Sequence, residues 1–471
     1  MRYVSTRGMV EPIEFLDAVL MGLADDGGLL VPEEIPDVRD ALDGWRELPY
    51  NDLAFEVMRL YATDIADADL RALIDKSYGR VFAPAVAPTV PVGGLFVLEL
   101  WHGPTLSFKD VALQFLGNVF EHVLSQRGGE MNILAATSGD TGSAAICGVR
   151  GRRGIDIFVM HPHGRVSPIQ ERQMTTVPDD NVHNIAVEGS FDDCQRIMKT
   201  LAADLAFKRR YSLGAVNSVN WARVLAQMVY YFHSVLQVRQ VTGAKQVRVC
   251  VPTGNFGNIL AAWYATQMGA PISQLVLATN ENDILSRFFN TGVYSLGQVH
   301  QTLAPAMDIQ VASNFERYLY HRLDGNSRQL QTMMAEFSRT GSLQVETTPG
   351  TGPDPLFEAG AADREDILAA IRRCYEQHGY LIDPHTACGF SVIEALVPAG
   401  LVTGGGLGDG EPTIIVATAH PAKFPSAIEE ATVEDLAHHP DIDALADMPT
   451  RCEVLPNDQE AVRQFIIRTA G

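Results

Sequence analysis

Residues 247–258 read V-R-V-C-V-P-T-G-N-F-G-N, and apolar helical positions continue from there toward Met268. A continuous apolar run that passes through a small-residue turn into a helix is the repeating unit of a parallel sheet covered by helices on both faces. The same unit recurs along the chain. Short apolar runs at 96–100, 133–136, 155–160, 182–187, 275–278 and 414–417 alternate with helical patterns. The spacing therefore predicts an α/β fold built on parallel or mixed sheets. In such sheets ligands bind beyond the carboxyl ends of the strands, where strand runs into helix.

Outward from this core the pattern changes. Ile13, Leu16, Leu20 and Leu23 fall on one helical face after Pro12, with Gly27 and Gly28 as the expected stop, and a second helical stretch begins near Asp52. Residues 83–94 carry Pro84, Pro88, Pro91, Gly93 and Gly94, a composition that predicts an extended connection at a domain boundary. Residues 292–363 are more polar and poorly periodic, with a loop-like 347–355, and are expected to form an insertion or cap. Residues 404–410, G-G-G-L-G-D-G, precede a strand instead of following one, which favours a surface loop over a dinucleotide turn. A domain boundary is expected at 83–94, between a mainly helical N-terminal part and an α/β core.

A chain of 471 residues with 46% hydrophobic and 20% charged residues is long and apolar enough for several buried cores. Its 36 Lys+Arg against 57 Asp+Glu give a formal charge of −21, which repels nucleic acid and anionic membrane surfaces. No apolar run approaches the roughly 18 to 20 residues that cross a bilayer. Glu11, Glu14 and Asp17 interrupt the first apolar stretch, unlike a signal or transit peptide, so the expected compartment is the cytoplasm. The six cysteines form no C-x-x-C pair and the histidines no H-E-x-x-H, so neither disulfides nor a metal site is expected.

Four turns carry chemistry. Lys109 sits in H-G-P-T-L-S-F-K-D, after the 96–100 run and before a helical pattern, where a fixed amine could form a Schiff base with an aldehyde cofactor. Its bland alternative is a first-turn lysine paired with Asp110. The turn T-S-G-D-T-G-S-A-A at 137–145 offers small residues, hydroxyls from Ser138, Thr141 and Ser143, and helix-start amides, a pattern suited to carboxylate or phosphate. Serine or threonine capping explains the same string. P-T-G-N-F-G-N at 252–258 can expose backbone amides to a dianion but lacks the lysine of a nucleotide loop. Thr418, at the end of the 414–417 run, offers a hydroxyl to a heterocycle nitrogen, against the alternative of a helix cap. Arg165, Arg172 and Arg223 lie in G-R-V-S-P-I-Q-E-R and N-S-V-N-W-A-R; a surface or salt-bridge role is the bland expectation for each.

Together these strings resemble the threonine synthase family, in its longer bacterial and fungal form, among pyridoxal phosphate enzymes shaped like the tryptophan synthase β subunit. The resemblance spans nearly the whole chain. It adds Y-V-S-T-R-G at 3–8, D-G-G-L-L-V-P at 26–32, S-N-F-E-R at 313–317, D-P-H-T-A at 383–387 and A-T-A-H-P-A-K-F at 417–424 to the turns above. It implies the fold type II architecture and pyridoxal 5′-phosphate as cofactor, with an N-terminal domain at 1–88, a catalytic core at 89–430 made of two α/β subdomains, the smaller at about 125–225, and a C-terminal segment at 431–471 packed on the core. Lys109 would be the Schiff-base lysine. Gly254, Asn255, Phe256, Gly257 and Asn258 would form the cofactor-phosphate loop, and Thr418 the partner of the pyridine nitrogen. Asp140 stands where related enzymes carry an asparagine that approaches the cofactor; ionised, it accepts and does not donate.

The implied reaction converts O-phosphohomoserine and water to threonine and phosphate, the last step of threonine biosynthesis. A substrate carboxylate suits the turn of Ser138, Gly139, Asp140, Thr141, Gly142 and Ser143. The substrate phosphate is expected on Arg223 and Arg165, with Lys423, Thr105 and Ser107 as weaker candidates. A related pyridoxal phosphate lyase or dehydratase, or a non-catalytic ligand-binding relative, remains the alternative. The expected assembly is a monomer or weak homodimer, with a small molecule as partner.

Overall fold

The computed structural model describes every residue except 138, 215, 217, 348–351, 397–409 and 471. The surface-loop reading of 404–410, apart from Gly410, and residues 348–351 of the 347–355 loop therefore lie outside the described residues. Two sheets carry the architecture. The larger has six strands in the order β13 (Phe357–Ala361), β10 (Ile272–Thr279), β9 (Val247–Pro252), β14 (Thr413–Ala417), β4 (Leu95–Glu99) and β3 (Thr89–Val92). All neighbours are parallel except the β3–β4 pair. The smaller has five parallel strands, β15 (Glu453–Pro456), β7 (Val182–Glu188), β6 (Ile155–Pro162), β5 (Met131–Ala136) and β8 (Leu213–Gly214). Its outermost strand comes from the C-terminal segment, which also packs its Gln459–Thr469 helix on the Phe191–Ala203 helix. Two short antiparallel pairs complete the strands, β1 (Tyr3–Ser5) with β2 (Leu30–Pro32), and β11 (Val293–Ser295) with β12 (Ser342–Gln344).

The apolar runs read from sequence become the central strands, because burial on both faces leaves no polar position to interrupt them. Where one face or edge is wet, the sequence misleads. β3 contains Pro91 inside a stretch expected to be only a connection; it is an edge strand, where a missing N–H is tolerated. β13 lies inside the supposed insertion at 292–363, yet pairs in register with β10 from Leu275–Phe357 to Thr279–Ala361. The same region forms the Phe315–Arg322 and Ser327–Thr340 helices. The first helix is shorter than expected, Phe15–Met21, and ends at Gly22 with φ 65°. It buries Phe15, Leu16, Ala18 and Val19, while Leu23 lies beyond it and is exposed.

One helix crossing positions the site. The Lys109–Arg127 and Asp140–Val149 helices meet at two glycines: a Cβ on Gly148 would lie 2.6 Å from the Leu113 carbonyl oxygen, and one on Gly117 would collide with that of Gly148. Only bare backbones approach this closely. The contact brings the first residues of both helices, Lys109 and Asp140, to the same point between the two sheets.

Candidate active site

The loop after β4 and the loop after β14 are laced together through their backbones. Leu100 N–H donates to Ala417 O at 3.0 Å, Phe108 N–H to Thr418 O at 2.8 Å and His420 N–H to Leu106 O at 3.1 Å. Thr418 is thereby held beside the start of the Lys109 helix, and it is buried. The cap of the following turn is His420, whose Nδ1 accepts from Ala422 N–H, so capping does not account for Thr418. Thr105 closes the β4 loop by donating from N and Oγ1 to Asp110 at 2.8 and 2.7 Å. Asp110 is therefore not the partner of Lys109. Ser107 is fully buried in the bridge to Ala419.

Lys109 pairs instead with Asp140, Nζ to Oδ2 at 3.1 Å. The other oxygen, Oδ1, takes Lys423 Nζ at 2.7 Å and Gln170 Nε2 at 2.9 Å, and Lys423 also donates to Thr105 O at 2.9 Å. One buried carboxylate thus serves two buried ammonium groups. Burial lowers the Lys109 pKa, with Asp140 opposing the shift. Burial alone would raise Asp140, but Lys109 and Lys423 overcome it and hold its carboxyl well below the usual range. Gln170 lies in the G-R-V-S-P-I-Q-E string and sequence reasoning passed over it in favour of the arginines beside it.

The 137–145 turn is built by its small residues. Gly139 has φ 145° and a Cβ there would strike Gln170 Oε1. Thr137 Oγ1 accepts from Gly139 and Gly142 N–H at 3.0 and 2.9 Å, and Ser143 Oγ donates to Asp140 O at 3.1 Å. Thr141 is half-buried in the first helical turn, and Ser138 lies outside the described residues.

The turn after β9 enters the Gly257–Gln267 helix through Phe256, left-handed at φ 64° and buried against Phe289, Phe315 and Phe357. Asn255 O accepts from Asn314 N and Nδ2 at 3.1 and 3.2 Å. Asn258 Oδ1 accepts from Tyr230 and Tyr231 hydroxyls at 2.5 and 2.6 Å, while its Nδ2 is buried with no partner among the described residues. The first amides of a helix have no acceptor within it, so this turn presents donors to an anion.

Arg223, in the Trp221–Thr242 helix, is buried with Nε and Nη1 unpartnered among the described residues, and its charge acts on Lys109. Burial lowers its pKa to about 10, so it remains cationic at neutral pH. Arg165 is not brought to this cluster: it is exposed on the turn after Gly164, because the β6 strand ends before it. Arg172 is spent on the carbonyls of Leu445, Ala446 and Met448. Among the described residues no group of three or more His, Cys, Asp and Glu could hold a metal, and no helix is long and apolar enough to cross a membrane.

A buried amine of depressed basicity, a neutral hydroxyl beside it, a turn of free helix-start amides and an orphaned guanidinium fit pyridoxal phosphate. The comparisons agree. The family described as "Pyridoxal-phosphate dependent enzyme" matches residues 81–359, "Threonine synthase N terminus" residues 2–78 and "Threonine synthase, C-terminal" residues 386–466. A threonine synthase of Pseudomonas aeruginosa is 46% identical over 99% of this chain and 98% of its own. The chain belongs to the threonine synthase family. The solved threonine synthase of Brucella melitensis, described as PLP bound, superposes with a TM-score of 0.92 at 40% identity, covering 100% of this chain and 99% of that one. That of yeast gives 0.93 at 40% identity, covering 99% and 98%. As a threonine synthase relative the chain is a PLP-dependent lyase of the fold type II architecture.

Proposed function

We propose that this chain converts O-phospho-L-homoserine and water to L-threonine and phosphate, the last step of threonine biosynthesis. The observation that carries the substrate is Arg223, a buried cation with free donors whose field reaches Lys109. A buried, unpaired guanidinium is costly unless a ligand completes it, and its fork matches a phosphate.

Bound pyridoxal phosphate supplies the electron sink that makes the substrate α proton acidic. Lys109 Nζ takes that proton, burial lowering the pKa of its ammonium and so weakening its hold on its own proton. Asp140 holds Lys109 in place and balances Lys423. Thr418 would offer the pyridine nitrogen a neutral hydroxyl, a hydrogen-bond donor too weak an acid to protonate it. The backbone amides of Gly254, Asn255, Phe256, Gly257 and Asn258, with the Nδ2 of Asn258, would hold the cofactor phosphate. The turn of Gly139, Thr141, Gly142 and Ser143 takes the substrate carboxylate, and Arg223, with Lys423, Thr105 and Ser107, the substrate phosphate. Lysine and carboxylate both lie buried, which excludes bulk water from the proton transfer.

The test is incubation of the holoenzyme with O-phosphohomoserine, following threonine and phosphate together. Equal amounts of both are expected. Phosphate with a keto acid and no threonine would assign a related lyase, and neither product would assign a ligand-binding protein.

A further inference from the structure

Three strings of the sequence have no place in the reaction above: Y-V-S-T-R-G, D-G-G-L-L-V-P and S-N-F-E-R. They converge on two neighbouring buried residues, Glu316 and Arg317. Arg317 is fully buried in the Phe315–Arg322 helix and donates from Nε to Leu30 O at 3.0 Å, from Nη1 to Asn314 Oδ1 at 2.6 Å and from Nη2 to Val219 O at 2.5 Å. Leu30 belongs to the second string. The first docks on the neighbouring residue: Thr6 Oγ1 donates to Glu316 Oε1 at 2.7 Å, and Arg7 pairs with Glu316 at 3.1 Å.

A guanidinium cannot accept a hydrogen bond, so Arg317 dictates which way the Asn314 amide faces. With Oδ1 committed to Arg317, Nδ2 must point the other way, and it donates to Asn255 O at 3.2 Å and Ser218 O at 3.1 Å. The Asn314 backbone N–H adds a second bond to the same Asn255 oxygen at 3.1 Å. Ser313 Oγ donates to Asn255 Oδ1 at 3.2 Å. The room is tight: a Cβ on Gly257 would lie 3.1 Å from Asn314 Nδ2. Val219, the third acceptor, lies just before the helix that carries Arg223.

We infer that Arg317 is a positioning residue which, through Asn314, fixes the backbone of the Gly254–Asn258 turn in the orientation that receives the cofactor phosphate. It also fixes the start of the Arg223 helix and the N-terminal β1–β2 unit to that same turn. The charge suits the task. Three rigid donors on one planar group set three backbone segments at once, which a lysine's single ammonium on a flexible stem does not reproduce. The inference rests on the turn being the cofactor-phosphate site.

The experiment uses the holoenzyme of Arg317→Lys, Asn314→Asp and Gly254→Ala, recording the 31P NMR position of the bound cofactor and the rate of cofactor release on dialysis. Asn314→Asp keeps an oxygen facing Arg317 and puts a carboxylate oxygen in place of the Nδ2 that donates to Asn255 O and Ser218 O, so it carries the test should Arg317→Lys fail to fold. All three variants are expected to move the 31P signal and to speed release, Arg317→Lys and Asn314→Asp by roughly 10- to 100-fold. A purely structural role would lower the melting temperature and leave the 31P signal of the folded protein where it is in wild type. Gly254→Ala moving the signal while Asn314→Asp or a folded Arg317→Lys does not would overturn the inference alone. All three leaving it unmoved would overturn the assignment of the turn itself.

Discussion

Lys109 Nζ and Lys423 Nζ bind opposite oxygens of the Asp140 carboxylate, at 3.1 and 2.7 Å, with all three side chains buried. Two buried amines therefore share one carboxylate, and their surroundings separate them. Lys423 also donates to the Thr105 carbonyl, while Lys109 has no such second acceptor among its described hydrogen bonds. Lys109 is the amine free to leave its carboxylate.

Lys109→Ala should accordingly retain pyridoxal phosphate through the Gly254–Asn258 turn but yield no borohydride-stable bond to it. Mass spectrometry of the reduced wild-type protein should find the label on the peptide carrying Lys109. A label on Lys423 would reverse the roles of the two lysines.

Asp140→Asn should destabilise the cofactor-free protein by about 3 to 5 kcal/mol, because it leaves two buried ammonium groups without their carboxylate. The sign with pH is fixed. Asp140 raises the Lys109 pKa, so its loss lets that pKa fall further, and the deficit should shrink as pH rises and the lysine loses its proton. Urea denaturation at neutral and alkaline pH reads this directly; an equal deficit at both would argue that packing, not charge, holds the cluster.

Asp110 gives a second pH dependence. Burial pushes its carboxyl up to about 6, against the hydrogen bonds from Thr105. A folded pKa above the unfolded one means the protonated form is favoured by folding. Stability from this group is complete below the unfolded carboxylate range and is lost as pH rises through about 6. Asp110→Asn should remove that slope, gaining stability relative to wild type at pH 8 over pH 5. Parallel pH–stability curves for the two proteins would show that burial does not raise the Asp110 carboxyl.

If Thr418 faces the pyridine nitrogen as proposed, Thr418→Asp should put a carboxylate there, protonate the ring, shift the absorption of the bound cofactor and slow threonine formation. Unchanged absorption and turnover would show that Thr418 does not face the ring.

The central strands and the strand-to-helix turns were legible because buried parallel strands read as unbroken apolar runs, and Lys109, Gly254–Asn258 and Thr418 all sit at their carboxyl ends. β3 and β13 were not: Pro91 argues against a strand unless it lies at an edge, and Phe357–Ala361, F-E-A-G-A, holds a charge and small residues in place of an apolar run. The partner of Lys109 was hidden for another reason. Asp110 is its neighbour in sequence, whereas Asp140 reaches it only through the Gly117–Gly148 crossing, and no local pattern reports a helix crossing. Arg165 and Arg223 looked alike as arginines in motif strings; burial alone separates them.

Arg223 carries the sharpest test because its two possible roles predict opposite signs. If it were a structural arginine, removing it would cost stability in the ligand-free protein. It has no partner for Nε and Nη1 among the described residues and is almost fully buried, so its charge is a burden until a ligand arrives. Arg223→Met keeps the stem and deletes the charge, and should leave the melting temperature equal to or above that of wild type. Removing one partner of a buried charged pair costs about 2 to 5 kcal/mol, so kcat/KM for O-phosphohomoserine should fall roughly 30-fold to several thousand-fold. Binding of unphosphorylated homoserine, read by the cofactor's absorption, should survive, because its carboxylate is assigned to the 139–143 turn. A lowered melting temperature with kcat/KM within fivefold of wild type would remove Arg223 from the site and return the substrate phosphate to Lys423 and the β4 loop.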